Sequence, residues 1–261
     1  MLSRTMRMAF WVTYDHAGKL LLANLAAVLA FLLLMSGIAI LIGRWPGGLT
    51  LIPALALGGV LFAAALAVVS FLAAWISALI DRPESRRHSL HDYLATALKH
   101  AAVLCVPMYL AVVAVVCSAW FYPVHWGLTM PWLGYPLGAI ALWSGVMGIL
   151  ALHVLVPALT YPHPSFWRPF RIALLLTLDN PGYTVGIAAV AFLGLAISTI
   201  ATPLLLVYPL FWAALTSSGY ELLARKYEAA ACGASAVETP DDTKDDYLNR
   251  GLQDLLFPWK G

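Results

Sequence analysis

Two histidines carry the sharpest chemical signal in this chain. His153 lies inside a run from His100 to Trp167, sixty-eight residues without Asp, Glu, Lys or Arg. An ionisable group in such a run marks a functional position, because hydrocarbon tolerates it only when it is paired or used. Its chemistry would be ligation of haem or another pigment through a ring nitrogen, or relay of a proton. His100 opens the same run and is the candidate second ligand if the two helices that carry them pack side by side. The competing reading is a neutral imidazole bonded to a backbone carbonyl or to a serine on a neighbouring helix.

The other constellations are weaker. His88, His91 and Asp92 (HSLHD) put two imidazoles three residues apart, an acceptable metal spacing, but no third or fourth ligand accompanies them. Among so many arginines, a solvated face is the expectation and no metal is implied. Asn24, Ser70, Ser77, Ser144, Ser198 and Thr202 lie in apolar runs, where they would line a path for a neutral solute or make local hydrogen bonds between close helices. No serine or cysteine stands in a recognisable motif with a histidine and an acid. The glycines of Trp45-Pro46-Gly47-Gly48 lack the Lys and Ser of a phosphate loop. Enzymatic chemistry therefore has no support in the sequence. Cys105 and Cys117, twelve residues apart, would be about 18 Å apart on one helix and do not pair there.

The elements that must hold these groups follow from composition. The chain is 62% hydrophobic and 11% charged, whereas a soluble domain is nearer 45–50% apolar and about 25% charged. Its solvent is lipid, and lipid admits helices or closed barrels only. With about 20 residues needed per crossing, the uncharged runs predict an all-α, polytopic transmembrane bundle of six spans, at about 20–42, 53–80, 101–121, 137–161, 184–200 and 204–223. The second run is long enough to tilt, protrude or begin with a re-entrant piece around Gly58-Gly59. The last uncharged run, Asn180 to Tyr220, holds forty-one residues, too many for one span, and the turn is placed near Thr199 to Pro203.

Charge fixes the orientation. The segments assigned to one side hold 3, 4, 2 and 5 basic residues, and the opposite loops hold only Arg44. Positive loops stay in the cytoplasm, so both termini are expected there, in the inner membrane of a bacterium. Five spans would instead place Arg225 and Lys226 outside, next to the membrane. The spans are read as free of Asp, Glu, Lys and Arg, which argues against an ion-driven carrier or channel. The basic residues are scattered, so no nucleic-acid partner is implied.

Three aromatic-containing segments precede odd-numbered spans: Phe10–Lys19, Ser89–Lys99 and Phe166–Leu178. They suggest three helical hairpins, each introduced by a short interfacial helix. In Pro164–Leu178, Arg168 and Arg171 are expected on the polar side. The connection Tyr122–Pro136 reads as an aromatic belt at the headgroup level. Residues 1–19 form an amphipathic arm, and 224–261 an acidic linker with a docking tail. In that tail Leu248, Leu252, Leu255 and Leu256 share one helix face ahead of Phe257 and Trp259, a surface shaped to bind a partner subunit or the chain itself.

The stretch YDHAGKLLLANLAAVLAFLLL from Tyr14 to Leu34, the small-residue segment Pro53–Ala65 and DNPGYTVGIAAVAFLGLAIS from Asp179 to Ser198 resemble the YesL-like family of bacterial integral membrane proteins. The resemblance covers most of Tyr14 to Glu228. It implies about six spans and a role associated with solute uptake, and it supplies no catalytic residue. The expected function is a non-enzymatic accessory or structural subunit of a larger membrane assembly. A permease for a neutral solute and a haem- or pigment-binding subunit are the alternatives.

Overall fold

In the computed structural model, which describes residues 1–43, 51–80, 90–161 and 167–231, every regular element is a helix and no strand occurs among the described residues. The elements are α1 (Leu2–Asp15), α2 (Ala17–Gly43), α3 (Leu51–Ile80), α4 (Leu90–Phe121), a π-helical turn (Tyr122–Trp126), α5 (Gly127–Thr129), α6 (Pro131–Ala158), α7 (Arg168–Asp179), α8 (Pro181–Ile200), a 3-10 turn (Thr202–Leu206) and α9 (Tyr208–Ala231). Five stretches are long and apolar enough to cross a membrane: Ala17–Ile40, Pro53–Ile80, Leu90–Thr129, Pro131–Ala158 and Pro181–Ile200. They make this a membrane protein whose outer residues meet lipid. Leu33, Trp143, Phe192 and Ile200 point outward with 74%, 67%, 73% and 88% of their surface uncovered, as acyl chains allow.

The ninth helix does not share that composition, and its position explains why. It packs against α1, α3, α6 and α8. Leu210, Ala213, Ala214, Leu215, Leu222 and Leu223 are buried, and so is the polar run Thr216-Ser217-Ser218. A helix enclosed by other helices has no need of lipid-compatible side chains. Small residues serve it better, since apolar burial drives nothing between helices in lipid and close packing with hydrogen bonds must do the work.

The core is concentrated at the end of the bundle that carries most of the charged residues. There Met8, Val12, Leu20, Leu72, Ile76 and Leu210 form one cluster of α1, α2, α3 and α9. Leu104, Leu155, Leu159 and Ala173 form another of α4, α6 and α7. Toward the other end α2 loses its cover, while α3, α4 with the turn after it, and α6 stay in contact through Gly58, Gly59, Gly138 and Gly145. In α2 only Leu20, Asn24 and Val28 are buried, and none of the described side chains from Leu29 to Ile42 is.

Several expected boundaries shift for identifiable reasons. The arm is a helix, α1, that buries Thr5, Met8, Ala9, Trp11 and Val12 against the bundle. No re-entrant piece forms at Gly58-Gly59: α3 is continuous there, and the missing side chains make room for Tyr109 of α4. The connection after Phe121 is helical, and α6 begins at Pro131 because Met130 leaves helical geometry (φ −136°, ψ 70°) and turns the chain. Gly134 then lies directly on the backbone of Trp126 and Gly127, an approach that only a residue without Cβ allows. The break expected near Thr199–Pro203 falls at Ala201. Past it, α9 returns antiparallel to α8, with Phe211 on Gly194 and Gly219 against Ile187 and Tyr183.

Candidate functional site

The polar groups of the interior collect around α9. Thr216 Oγ1 donates to its own helix at Trp212 O, 2.9 Å away, while Ser217 Oγ reaches across to Ala73 O of α3 at 3.5 Å. Ser70 and Ser77 stand about one helical turn either side of Ala73 in α3, and both are buried. Ser77 Oγ accepts from Thr160 Oγ1 at 3.3 Å. Ser70 Oγ and Ser218 Oγ are buried and have no hydrogen-bond partner.

One turn further along α9 lies Glu221, which the reading of charge-free runs passed over. It sits one residue beyond the uncharged stretch ending at Tyr220 and inside the span bounds of 204–223. Its Oε2 accepts from the Tyr161 hydroxyl at 3.1 Å, and its Oε1 accepts from Arg225 Nε at 2.9 Å. Tyr93 and Tyr220 close against the Tyr161 ring, with centroids 5.7 and 5.4 Å away. The carboxylate and phenol thus join α9 to Tyr161, three residues beyond α6, and Arg225 braces the carboxylate from its own helix. The order Tyr-Glu-(x3)-Arg, with the acid four residues before the base, was the available signal.

Two further fasteners link α8 to its surroundings. The Tyr183 hydroxyl donates to Gly219 O at 3.2 Å and lies 2.6 Å from Thr5 Oγ1, so one ring ties α8, α9 and α1. Asn180, which precedes the first turn of α8, accepts from Lys226 Nζ at 2.8 Å and donates to the Tyr227 hydroxyl at 2.7 Å.

The two candidate histidine ligands make separate contacts. His153 is buried in α6 with its ring 5.6 Å from that of Trp212, and its Nδ1 lies 2.8 Å from Ile149 O of its own helix. A carbonyl only accepts, so Nδ1 carries a proton, and in the neutral ring Nε2 keeps its lone pair. His100 Nδ1 likewise donates to Leu159 O at 3.0 Å, bridging α4 to the end of α6. This is the carbonyl-bonded arrangement that competes with ligation. The expected hydroxyls behave similarly: Ser144 donates to Ile140 O and Ser198 to Gly194 O, each 2.8 Å away on its own helix.

His91 and Asp92 are exposed at the start of α4, while His88 lies outside the described residues. No group of three or more His, Cys, Asp or Glu residues comes together among the described residues. Leu248, Leu252, Leu255, Leu256, Phe257 and Trp259 of the expected docking tail also lie outside the described residues. No family model matches the chain, and no curated protein or solved structure matches it either.

Proposed function

We propose that this chain is a six-span, non-enzymatic protein of the bacterial inner membrane, with both termini in the cytoplasm, serving as an accessory or structural subunit of a larger membrane assembly. α9 is the sixth span, and its buried polar run is compatible with crossing because neighbouring helices cover it. The observation that carries the functional reading is how the interior polar groups are used. Ser217 with Ala73, Thr160 with Ser77, Tyr183 with Thr5 and Gly219, and Asn24 with Leu206 O all fasten helix to helix or helix to turn. Side chains engaged in holding the bundle are the mark of a scaffold. The resemblance to the YesL-like family is in keeping with this. Native mass spectrometry after extraction in mild detergent tests it: the chain should run with partner subunits, and a lone monomer with a protease-sensitive tail would count against it.

Two observations keep narrower readings open. Buried Ser70 and Ser218 without partners favour a permease for a neutral solute, which uptake into reconstituted vesicles decides. The free Nε2 of His153 favours a haem or pigment ligand, and a colourless purified protein would end that reading.

A further inference from the structure

The seventh helix is apolar on two sides, and that changes what its arginines do. Pro169, Ala173 and Thr177, spaced by four, are buried against the bundle, where α7 packs chiefly on α6. On the other side Phe170, Leu174 and Leu178, also spaced by four, are exposed at 42%, 42% and 56%. Arg168 and Arg171 occupy the exposed sector opposite the buried face, as expected, and Leu175, 53% exposed, lies between them and joins that sector to the apolar stripe. Both are exposed in the first turn, at the margin of that outward apolar stripe. Neither has an ionic partner among the described residues, and the nearest acid on the helix, Asp179, is at its far end.

The chain on either side restricts what covers this stripe. α6 ends at Ala158 and α8 begins at Pro181, and both are long, apolar membrane-crossing candidates. α7 is therefore held at the level where crossing helices enter the bilayer. An apolar stripe at that level meets acyl chains, and arginines at its margin reach the phosphate layer just above them. Positive charge there selects anionic over zwitterionic headgroups.

We infer that α7 is an anionic-phospholipid site: its outward stripe lies against the acyl chains of a lipid whose headgroup phosphate is held by Arg168 and Arg171. The inference rests on the membrane reading above, with α7 on the cytoplasmic leaflet. Bilayer lipid is the occupant, because α7 joins two crossing helices and its stripe stands at the level where they enter the bilayer.

The test uses the full chain in a mild non-ionic detergent, incubated with phosphatidylglycerol and with phosphatidylcholine of the same acyl chains, with bound lipid counted by native mass spectrometry. Wild type should retain phosphatidylglycerol preferentially. At about fivefold per basic residue near a membrane surface, the double variant R168Q/R171Q should lose most of a preference of up to roughly 25-fold. R168K/R171K, which keeps the charge, should retain most of it. Equal retention of both lipids by wild type overturns the inference, as does an unchanged preference in R168Q/R171Q. Displacement of the lipid by inorganic phosphate would show a soluble-anion site and overturn it too. Alkaline carbonate extraction separates the two levels: a chain released from membranes fails the membrane reading itself, whereas a chain that stays embedded without lipid preference fails only this inference.

Discussion

The side-chain amide of Asn24 donates to the main-chain carbonyl of Leu206 at 2.5 Å, joining residues 182 positions apart. Leu206 closes the 3-10 turn between α8 and α9, where carbonyls lack the helical partners they would otherwise have. Backbone in that condition is tolerated at membrane depth only when something supplies a donor. Asn24, near the start of α2, is that donor, and it also fixes the first part of α2 to the bundle.

Replacing Asn24 by Leu removes the donor and leaves the Leu206 carbonyl unpaired, at a cost of about 1–3 kcal/mol. Asn24→Asp should be worse, because a carboxylate would face the carbonyl with no proton to give. Thermal melting in detergent, followed by size exclusion, should rank wild type above Asn24→Leu and Asn24→Asp lowest. Equal melting of all three would show that the contact contributes nothing.

Two glycines should differ in what an added methyl costs. A Cβ at Gly58 would lie 2.6 Å from the Tyr109 hydroxyl, the end of a side chain that can swing away, although it gives up its 2.8 Å bond to Leu55 O. At Gly134 the Cβ would meet the backbone of Trp126 and Gly127, which has nowhere to go. Gly134→Ala should therefore destabilise by more than Gly58→Ala, by about 1–3 kcal/mol as an overpacking effect. Tyr109→Phe should relieve Gly58→Ala and leave Gly134→Ala unchanged, which a comparison of melting temperatures in the combined variants reads directly.

Glu221 accepts from both Tyr161 and Arg225, with its side chain 21% and that of Arg225 29% exposed. Partial exposure screens the ion pair, so its own contribution is small. The bond to Tyr161 is better shielded. A double-mutant cycle of Tyr161→Phe and Glu221→Gln should give a coupling of about 0.5–1.5 kcal/mol. Strict additivity would mean the two side chains are neighbours without a bond.

If α9 crosses the membrane, a fluorescent protein fused after Gly261 should fluoresce in the cytoplasm. A phosphatase fused after Ala201, at the far end of α8, should be active on the outside. Inactive phosphatase at Ala201 would remove the six-span topology.

The crossing segments were legible because lipid imposes a single demand, the absence of charge over about 20 residues, and the runs starting at Leu20, His100 and Asn180 meet it plainly. Pro203 and its neighbours also announced the break that falls at Ala201. The fastening was not legible. The apolar face of α1 could be read from its periodicity, but nothing in Thr5 points to Tyr183 and Gly219, more than 170 residues on. Glu221 escaped notice because it lies at the end of an uncharged run, where an acid reads as the start of a tail. The outward stripe of α7 was obscured for a similar reason: Phe170, Leu174 and Leu178 look like the buried face until Pro169, Ala173 and Thr177 are seen to occupy it.

The bare far half of α2 has a mechanical consequence. Its 27 residues extend about 40 Å at 1.5 Å per residue, against a hydrocarbon layer about 30 Å thick. The excess is taken up by inclination. Its buried side chains, Leu20, Asn24 and Val28, all lie in the first half of the helix, so packing constrains its inclination chiefly there. α2 is thus anchored toward one end of its length and offers most of the rest to lipid.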